Sequence, residues 1–434
     1  MSSAARGQSA GQGWLVLLAS KLGYQTRTFV LAAQKLDVPV LLATDRCVQL
    51  DDPWGDQAIP VRFEHPAEAA EAILARAAGP IHAVLALGDH QVPTAAWLAE
   101  KLGLPGLSFR AAEQVSSKAR QREALAAAGL PVPKFQVYPL DAAPAEVLRC
   151  VGLPCVVKPI ALAASQGVIR ADTPADLAEA IARVSALLRS PEFGPARQRT
   201  EFQHLLVEQY VGGREVALEA LLTHGHLRPL ALFDKPDPLE GPYFEETMYI
   251  TPSRLPESWQ AQVIECARNA AQALGLAHGP LHAEFRVEDG HVWVLELHAR
   301  PIGGLCARAL RFGPELIGLE ELLIRHALGW PGADWEREPQ ASGVMMIPVP
   351  GTGLLVAVDG IEQARSVEGI TGLEITARLY DPVRAWPEGT SYLGFIFARA
   401  ERPEQAESAL RQAHGQLRVQ IVPELPVEHP ARSP

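Results

Sequence analysis

Cysteine is scarce and scattered in this chain. Cys47, Cys150, Cys155, Cys266 and Cys306 form no C-x-x-C motif, and their number is odd. That disfavours a disulfide framework and a structural zinc site, and points to buried thiols in a reduced cytoplasm. Basic residues are not in excess: 39 Lys and Arg stand against 50 Asp and Glu, for a net charge of −11. No electrostatic footprint for nucleic acid or an anionic membrane exists, and the acidity reads as solubility. No apolar run approaches the ~20 residues of a membrane span. The run Trp14-Leu-Val-Leu-Leu-Ala19 is too short for a signal segment and reads as a strand. The G-x-x-x-x-G-K-[ST] phosphate loop and the G-x-S-x-G nucleophile elbow are both missing. The pair Gly11 and Gly13 precedes a strand instead of following one, so it is no dinucleotide fingerprint.

What remains is an ordinary globular composition, 48% hydrophobic and 21% charged, over 434 residues, enough for several domains. Residues 1–13 are rich in Ser, Ala, Gly and Gln and read as a disordered start. Apolar runs at 14–19, 38–43 and 82–88 alternate with helical patterns, including 66–78 and 91–102. This βαβ arrangement predicts an open parallel sheet, with Gly88 and Asp89 at the end of its third strand. Ser116 or Ser117 is placed to cap a helix that Gly129 and Pro131 stop. Residues 154–160 read as a strand, 174–189 as a helix, and 191–201 as an exposed connection. The stretch 204–222 reads as strand, turn, strand, with Glu208 and Glu215 bracketing Gly212 and Gly213. A long helix is expected over about 256–274. Further on, 343–350 and 391–400 read as strands and 403–417 as a helix, a small α+β unit.

The stretch 281–304, LHAEFRVEDGHVWVLELHARPIGG, carries the densest chemistry. It reads as a β-hairpin around Glu288-Asp289-Gly290. Side chains alternate faces along a strand, so His282, Glu284 and Arg286 share one face, and Glu296, His298 and Arg300 share another. A three-residue loop would make Glu284 and Glu296 diagonal neighbours on one face, about 7–8 Å apart at Cα. Two such carboxylates call for a cation, and oxygen ligands suit Mg²⁺. A two-residue Asp-Gly turn would put them on opposite faces. A solvated charged strand face is the competing reading.

Lys158 ends an apolar strand and precedes the small-residue loop 161–168, with Ser165, Gln166 and Gly167. Such a loop lets backbone N–H groups approach phosphate, and lysine adds a point charge. Taken alone, it reads rather as a surface lysine beside an ordinary turn.

The order of these elements resembles the ATP-grasp superfamily over about residues 14–400. Within it the chain is similar to the carboxylate–amine ligases, including L-amino acid ligases that make dipeptides. The resemblance rests on 116–133, 154–168, 207–216, 233–255, 296–304 and the stretch SYLGFIFARA. It implies an α/β chain with the ATP-grasp fold, an N-terminal Rossmann-like parallel-sheet domain (14–112), a nucleotide and substrate domain (113–335) and a small C-terminal α+β domain (336–434). It further implies that Lys118, Lys158, Ser165 and Gly167 meet ATP phosphates. Glu208 and the backbone of Gln209 and Val211 would meet adenine, and Glu215 the ribose. Glu284 and Glu296 would hold Mg²⁺ or Mn²⁺. Arg300 and Lys158 would be catalytic, stabilising the transferred phosphoryl group. Arg300, Gly303, Gly304, Glu246 and His298 would contact substrate. Many members carry asparagine where this chain has His298, so His298 either binds substrate or supports the loop. Glu245 and Asp89 are further candidates for an amino group, and His282 reads as structural.

The activity implied is ATP-dependent joining of a carboxylate, an amino acid, to an amine, giving ADP and phosphate. An ATP-grasp carboxylase, a kinase-like phosphotransferase and a non-catalytic nucleotide-binding module are the alternatives. Small-molecule substrates are expected as partners, without nucleic acid or membrane, and a two-fold dimer is the commonest assembly.

Overall fold

The computed structural model describes residues 13–20, 23–45 and 58–424; Cys47 and most of the segment expected to be disordered, 1–12, lie outside it. The chain forms two compact units, neither of them one continuous stretch. One comprises residues up to Val132 together with Glu215–Phe233 and Ser253–Pro339. The other comprises Pro133–Arg214, Asp234–Pro252 and the residues from Gln340 onward.

The first unit opens with the expected parallel sheet. Strands Trp14–Leu18, Val40–Thr44 and Ile81–Ala86 are present, and a short strand Ala58–Pro60 that the sequence reading omitted adds an edge. Trp14–Leu18 is central and pairs in parallel on both sides. Its run Leu15 to Leu18 is fully buried, which is why it reads as uninterrupted apolar sequence. Helices Tyr24–Lys35, Pro66–Arg76 and Val92–Leu102 alternate with these strands. Asp89 starts a short turn directly after Ile81–Ala86.

The same unit holds four further strands in the order His291–His298, Gly279–Glu288, Arg214–Thr223, His226–Asp234. Helices Lys118–Ala127 and Glu257–Ala273 contribute to their core. Leu125, Val263 and Ala267 pack with Val216, Leu218, Ala283, Phe285, Val294 and Leu297. Ser117 occupies the N-cap position of its helix, as expected, but its side chain makes no cap bond. Arg214–Thr223 and His204–Gln209 are not a hairpin: they lie in different sheets. The Gly-Gly connection between them is a crossover.

The second unit contains a four-stranded antiparallel sheet, ordered Phe135–Pro139, His204–Gln209, Cys155–Pro159, Ile169–Ala171. Helix Pro174–Leu188 covers it, its start fixed by a capping box between Thr173 and Asp176. Strands Met248–Thr251, Ala341–Ile347, Gly394–Ala400 and Ile370–Ile375 lie side by side in that order, against helix Pro403–Gln416. A small sheet of Pro382–Val383, Gly353–Asp359 and Arg418–Val422 completes the unit. The C-terminal α+β character is thus present, with more strands than periodicity revealed. Among the described residues no helix is long and apolar enough to cross a membrane, and Cys150, Cys155, Cys266 and Cys306 form no disulfide.

Candidate active site

The hairpin Gly279–Glu288 and His291–His298 adopts neither register expected from sequence. Glu288 pairs His291, so the loop is the two-residue turn Asp289-Gly290. Both turn residues have positive φ, 47° and 85°, as a type I′ turn demands; Gly290 supplies the second without strain. Pairing runs regularly to Phe285 and Val294, then shifts by one residue, so that Glu284 faces Glu296 directly. Leu295 is the extra residue of a β-bulge. The two-residue turn alone would have set the glutamates on opposite faces; the bulge returns them to one face.

Around this face the first unit assembles a dense polar network. Lys118 donates to Glu296 Oε1 at 2.6 Å. His298 Nδ1 meets Asp89 Oδ1 at 2.9 Å, and its Nε2 lies 3.6 Å from Glu296. Arg300 donates through Nε and Nη2 to Asp89 Oδ2, each at 3.2 Å. Burial opposes ionisation of Asp89, but Arg300 and then His298 outweigh it and hold its carboxyl well below the usual range. The same pairing raises the already high Arg300 guanidinium against burial. His282 lies between Glu219 and Glu284, bonded to both. Burial disfavours its charged ring, yet Glu219 and then Glu284 push it up to about 9. Arg286 donates to Glu215 at 2.9 Å, and the Glu215 and Glu284 carboxylates come within 4.8 Å of each other. The Gly303–Gly304 corner is tied by Ile302, whose N–H donates to Glu219. Gly304 needs its positive φ of 65°, whereas Gly303 has open space where a Cβ would stand.

The second unit carries the remaining candidates. Lys158 is paired with Glu208, both nearly buried. Glu208 therefore has a lysine on its carboxylate, where the resemblance implied adenine. The Gln209 N–H donates to the Lys134 carbonyl at 2.8 Å and is spent within the protein. The loop with Ser165 and Gly167 has Ala164, Ser165 and Gly167 at positive φ. It is anchored: the Gly167 N–H donates to Pro387 O and the Gln166 side chain to Glu388 O. Glu246 accepts from Lys235 Nζ at 2.5 Å and from the Tyr249 hydroxyl at 2.7 Å. Its neighbour Glu245 differs: one carboxylate oxygen is buried without a partner, and burial pushes the group up to about 7.

Sequence reading passed over Glu219, Lys235, Gln121 and Arg122, and placed Arg286 on a strand face without naming its partner. Glu219 left a signal, as the one acid within the buried run Val216 to Leu222. Arg286, Gln121 and Arg122 owe their roles to partners distant in sequence, whereas Lys235 pairs with the nearby Glu246.

Residues 151–309 match the ATP-grasp domain family. Together with the fold, this shows an ATP-grasp domain within the chain. More narrowly, residues 345–422 match the L-amino acid ligase C-terminal domain 2. The crystal structure of an L-amino acid ligase from Bacillus licheniformis superposes with a TM-score of 0.80 at 25% identity, covering 95% of this chain and 99% of that one. The alanine–anticapsin ligase of Bacillus subtilis is 29% identical over 201 residues, 43% of this chain and 41% of its own length. A phosphoribosylamine–glycine ligase of Allochromatium vinosum is 31% identical over 260 residues, 56% of this chain and 58% of its own. The chain spans less than two thirds of the length of the curated relatives it matches.

Proposed function

We propose that this protein is an ATP-dependent ligase that joins the carboxylate of an amino acid to an amine, through an acyl phosphate, releasing ADP and phosphate. The observation that carries this reading is the hairpin face. Glu284 and Glu296 stand opposite each other there, Lys118 is on Glu296, and Arg300 is fixed by Asp89, all in a chain with an ATP-grasp domain.

The donor set fits a hard divalent cation. Glu284 and the facing Glu296 offer only oxygen, as does Glu215 near Glu284, which suits Mg²⁺ or Mn²⁺ and not a softer metal. Bound there, the ion would neutralise charge on the phosphate oxygens of ATP. A substrate carboxylate oxygen attacks the γ-phosphorus, and the bond to the β-phosphate oxygen breaks to release ADP. The amine nitrogen then attacks the acyl carbon; the C–O bond to phosphate breaks and the nitrogen loses its proton. The side chains position and offset charge; none forms a covalent bond. Lys118 and Lys158 would each bring a positive charge to phosphate oxygens. Asp89 holds Arg300 in one orientation, so its charge meets the developing negative charge without reorganising.

The relatives' names, an L-amino acid ligase and an alanine–anticapsin ligase, support amino acids as substrates. Incubating the protein with ATP, Mg²⁺ and pairs of amino acids, then measuring nucleotide and product masses, tests the reading. ADP with a mass equal to the condensed pair supports it. AMP and pyrophosphate, or no amino-acid-dependent turnover on any pair, overturn it.

A further inference from the structure

One face of the helix Lys118–Ala127 reads the hairpin strand that carries Glu296. Lys118, Gln121, Arg122 and Leu125 recur at helical spacing, so they share that face. Lys118 meets the Glu296 carboxylate. Arg122 donates to the carbonyl of Leu295, the bulge residue itself. Gln121 takes both backbone groups of Leu297: its amide donates to the carbonyl at 2.7 Å and its oxygen accepts from the N–H at 2.9 Å. Beyond the helix, the Pro131 carbonyl accepts from the Val294 N–H at 3.0 Å. The bulge is thus held at its centre and on both flanks.

These contacts are not an incidental packing. Among the described residues His291–His298 is an edge strand, with no neighbouring strand there for its outward backbone groups to bond. A bulge leaves its extra residue outside the ladder as well. Gln121 and Arg122 are each 2% exposed, a costly position for an arginine unless its donors are used. Without the bulge, regular pairing beyond Phe285 and Val294 would carry Glu296 onto the face of Phe285 and Ala283, which are fully buried, and Leu295 onto the polar face.

We propose that Arg122 and Gln121 are positioning residues for the metal carboxylate: they fix the Leu295 bulge and through it the aim of Glu296. This rests on the reading of Glu284 and Glu296 as cation ligands. The helix that supplies the lysine at Glu296 thereby also sets where Glu296 stands, so lysine and carboxylate cannot drift apart.

The test uses Mn²⁺ as a paramagnetic probe, titrated into the full chain with a non-hydrolysable ATP analogue and read as free Mn²⁺ by electron paramagnetic resonance. Arg122→Met should weaken Mn²⁺ binding about tenfold, in the range typical of residues that orient metal ligands. Gln121→Met should do so by a smaller factor, and Arg122→Lys, which keeps a charged donor, should recover most of the loss. In a Glu296→Gln background neither substitution should add a further effect, because both act through that carboxylate. Thermal melts accompany each titration; if Arg122→Met does not fold, Gln121→Met and Arg122→Lys carry the comparison. Unchanged Mn²⁺ affinity in the folded variants overturns the proposal, as does an equal loss with and without Glu296. A wild-type chain that binds no Mn²⁺ is a different result, and removes the metal reading on which the proposal stands.

Discussion

Replacing Asp89 by asparagine keeps the shape of the side chain and removes its charge. Arg300 and His298 are then left facing a neutral amide. Their side chains are 12% and 8% exposed, so water compensates little. Removing one partner of a buried pair costs about 3–5 kcal/mol; because Asp89 itself is 21% exposed, the lower end applies, about 3 kcal/mol. For a unit on the order of 240 residues, each kcal/mol moves the melting temperature by roughly 2–4 °C, so a fall of about 6–12 °C is expected. The pH dependence follows from the depressed Asp89 carboxyl. Its stabilisation is fully present above the unfolded-state value near 4 and is lost as pH falls through the lower folded-state value. Calorimetric melts of wild type and Asp89→Asn should therefore differ by a constant gap from pH 8 to 5, narrowing only in stronger acid. A gap under about 2 °C, or one that closes between pH 7 and 5, would refute the account of this pair.

Lys118→Ala and Lys158→Ala should each weaken binding of a non-hydrolysable ATP analogue in calorimetric titration; unchanged affinity in both would remove the nucleotide assignment. Glu296→Gln keeps size and loses charge, so turnover should fall by at least a hundredfold, while the melt falls by no more than in Asp89→Asn, because Lys118 loses a partner but the facing Glu284 loses a repulsion. A collapsed melt would mark Glu296 as structural instead. Glu245 has a folded-state value near 7, above its unfolded 4.5, so stability is lost as pH rises across that interval. Glu245→Gln should melt higher than wild type at pH 8 and no higher near pH 4, and equal melts at pH 8 would contradict the burial argument.

The parallel N-terminal sheet was legible because buried parallel strands are continuous apolar runs between helical patterns, as at Leu15–Leu18. The acidic hairpin was legible as a hairpin, but its register was not read correctly. In the structure Val292, Val294 and Leu297 are the buried apolar residues of this strand, a step of two followed by a step of three, but the sequence is apolar throughout 292–295 and hides that step. The turn between Glu208 and Glu215 looked like a hairpin because local sequence cannot say which sheet each strand joins. Lys158 stood out through the loop that follows it, whereas its pairing with Glu208 depends on strands Cys155–Pro159 and His204–Gln209 lying side by side. Arg122 and Gln121 were spaced for one helix face, but nothing local announces an edge strand more than a hundred and seventy residues away. Pairing across the fold decides these features, and composition and periodicity carry little of it.

The transfer of oxygen tests the central claim most directly. An amino acid labelled with ¹⁸O in both carboxylate positions should give one labelled oxygen to inorganic phosphate for each amide formed, because that oxygen bridges carbon and phosphorus in the acyl phosphate. Mass spectrometry of the released phosphate reads it. One ¹⁸O per phosphate, with ADP as the only nucleotide product, is the predicted result. Unlabelled phosphate, or label found in AMP, would contradict it.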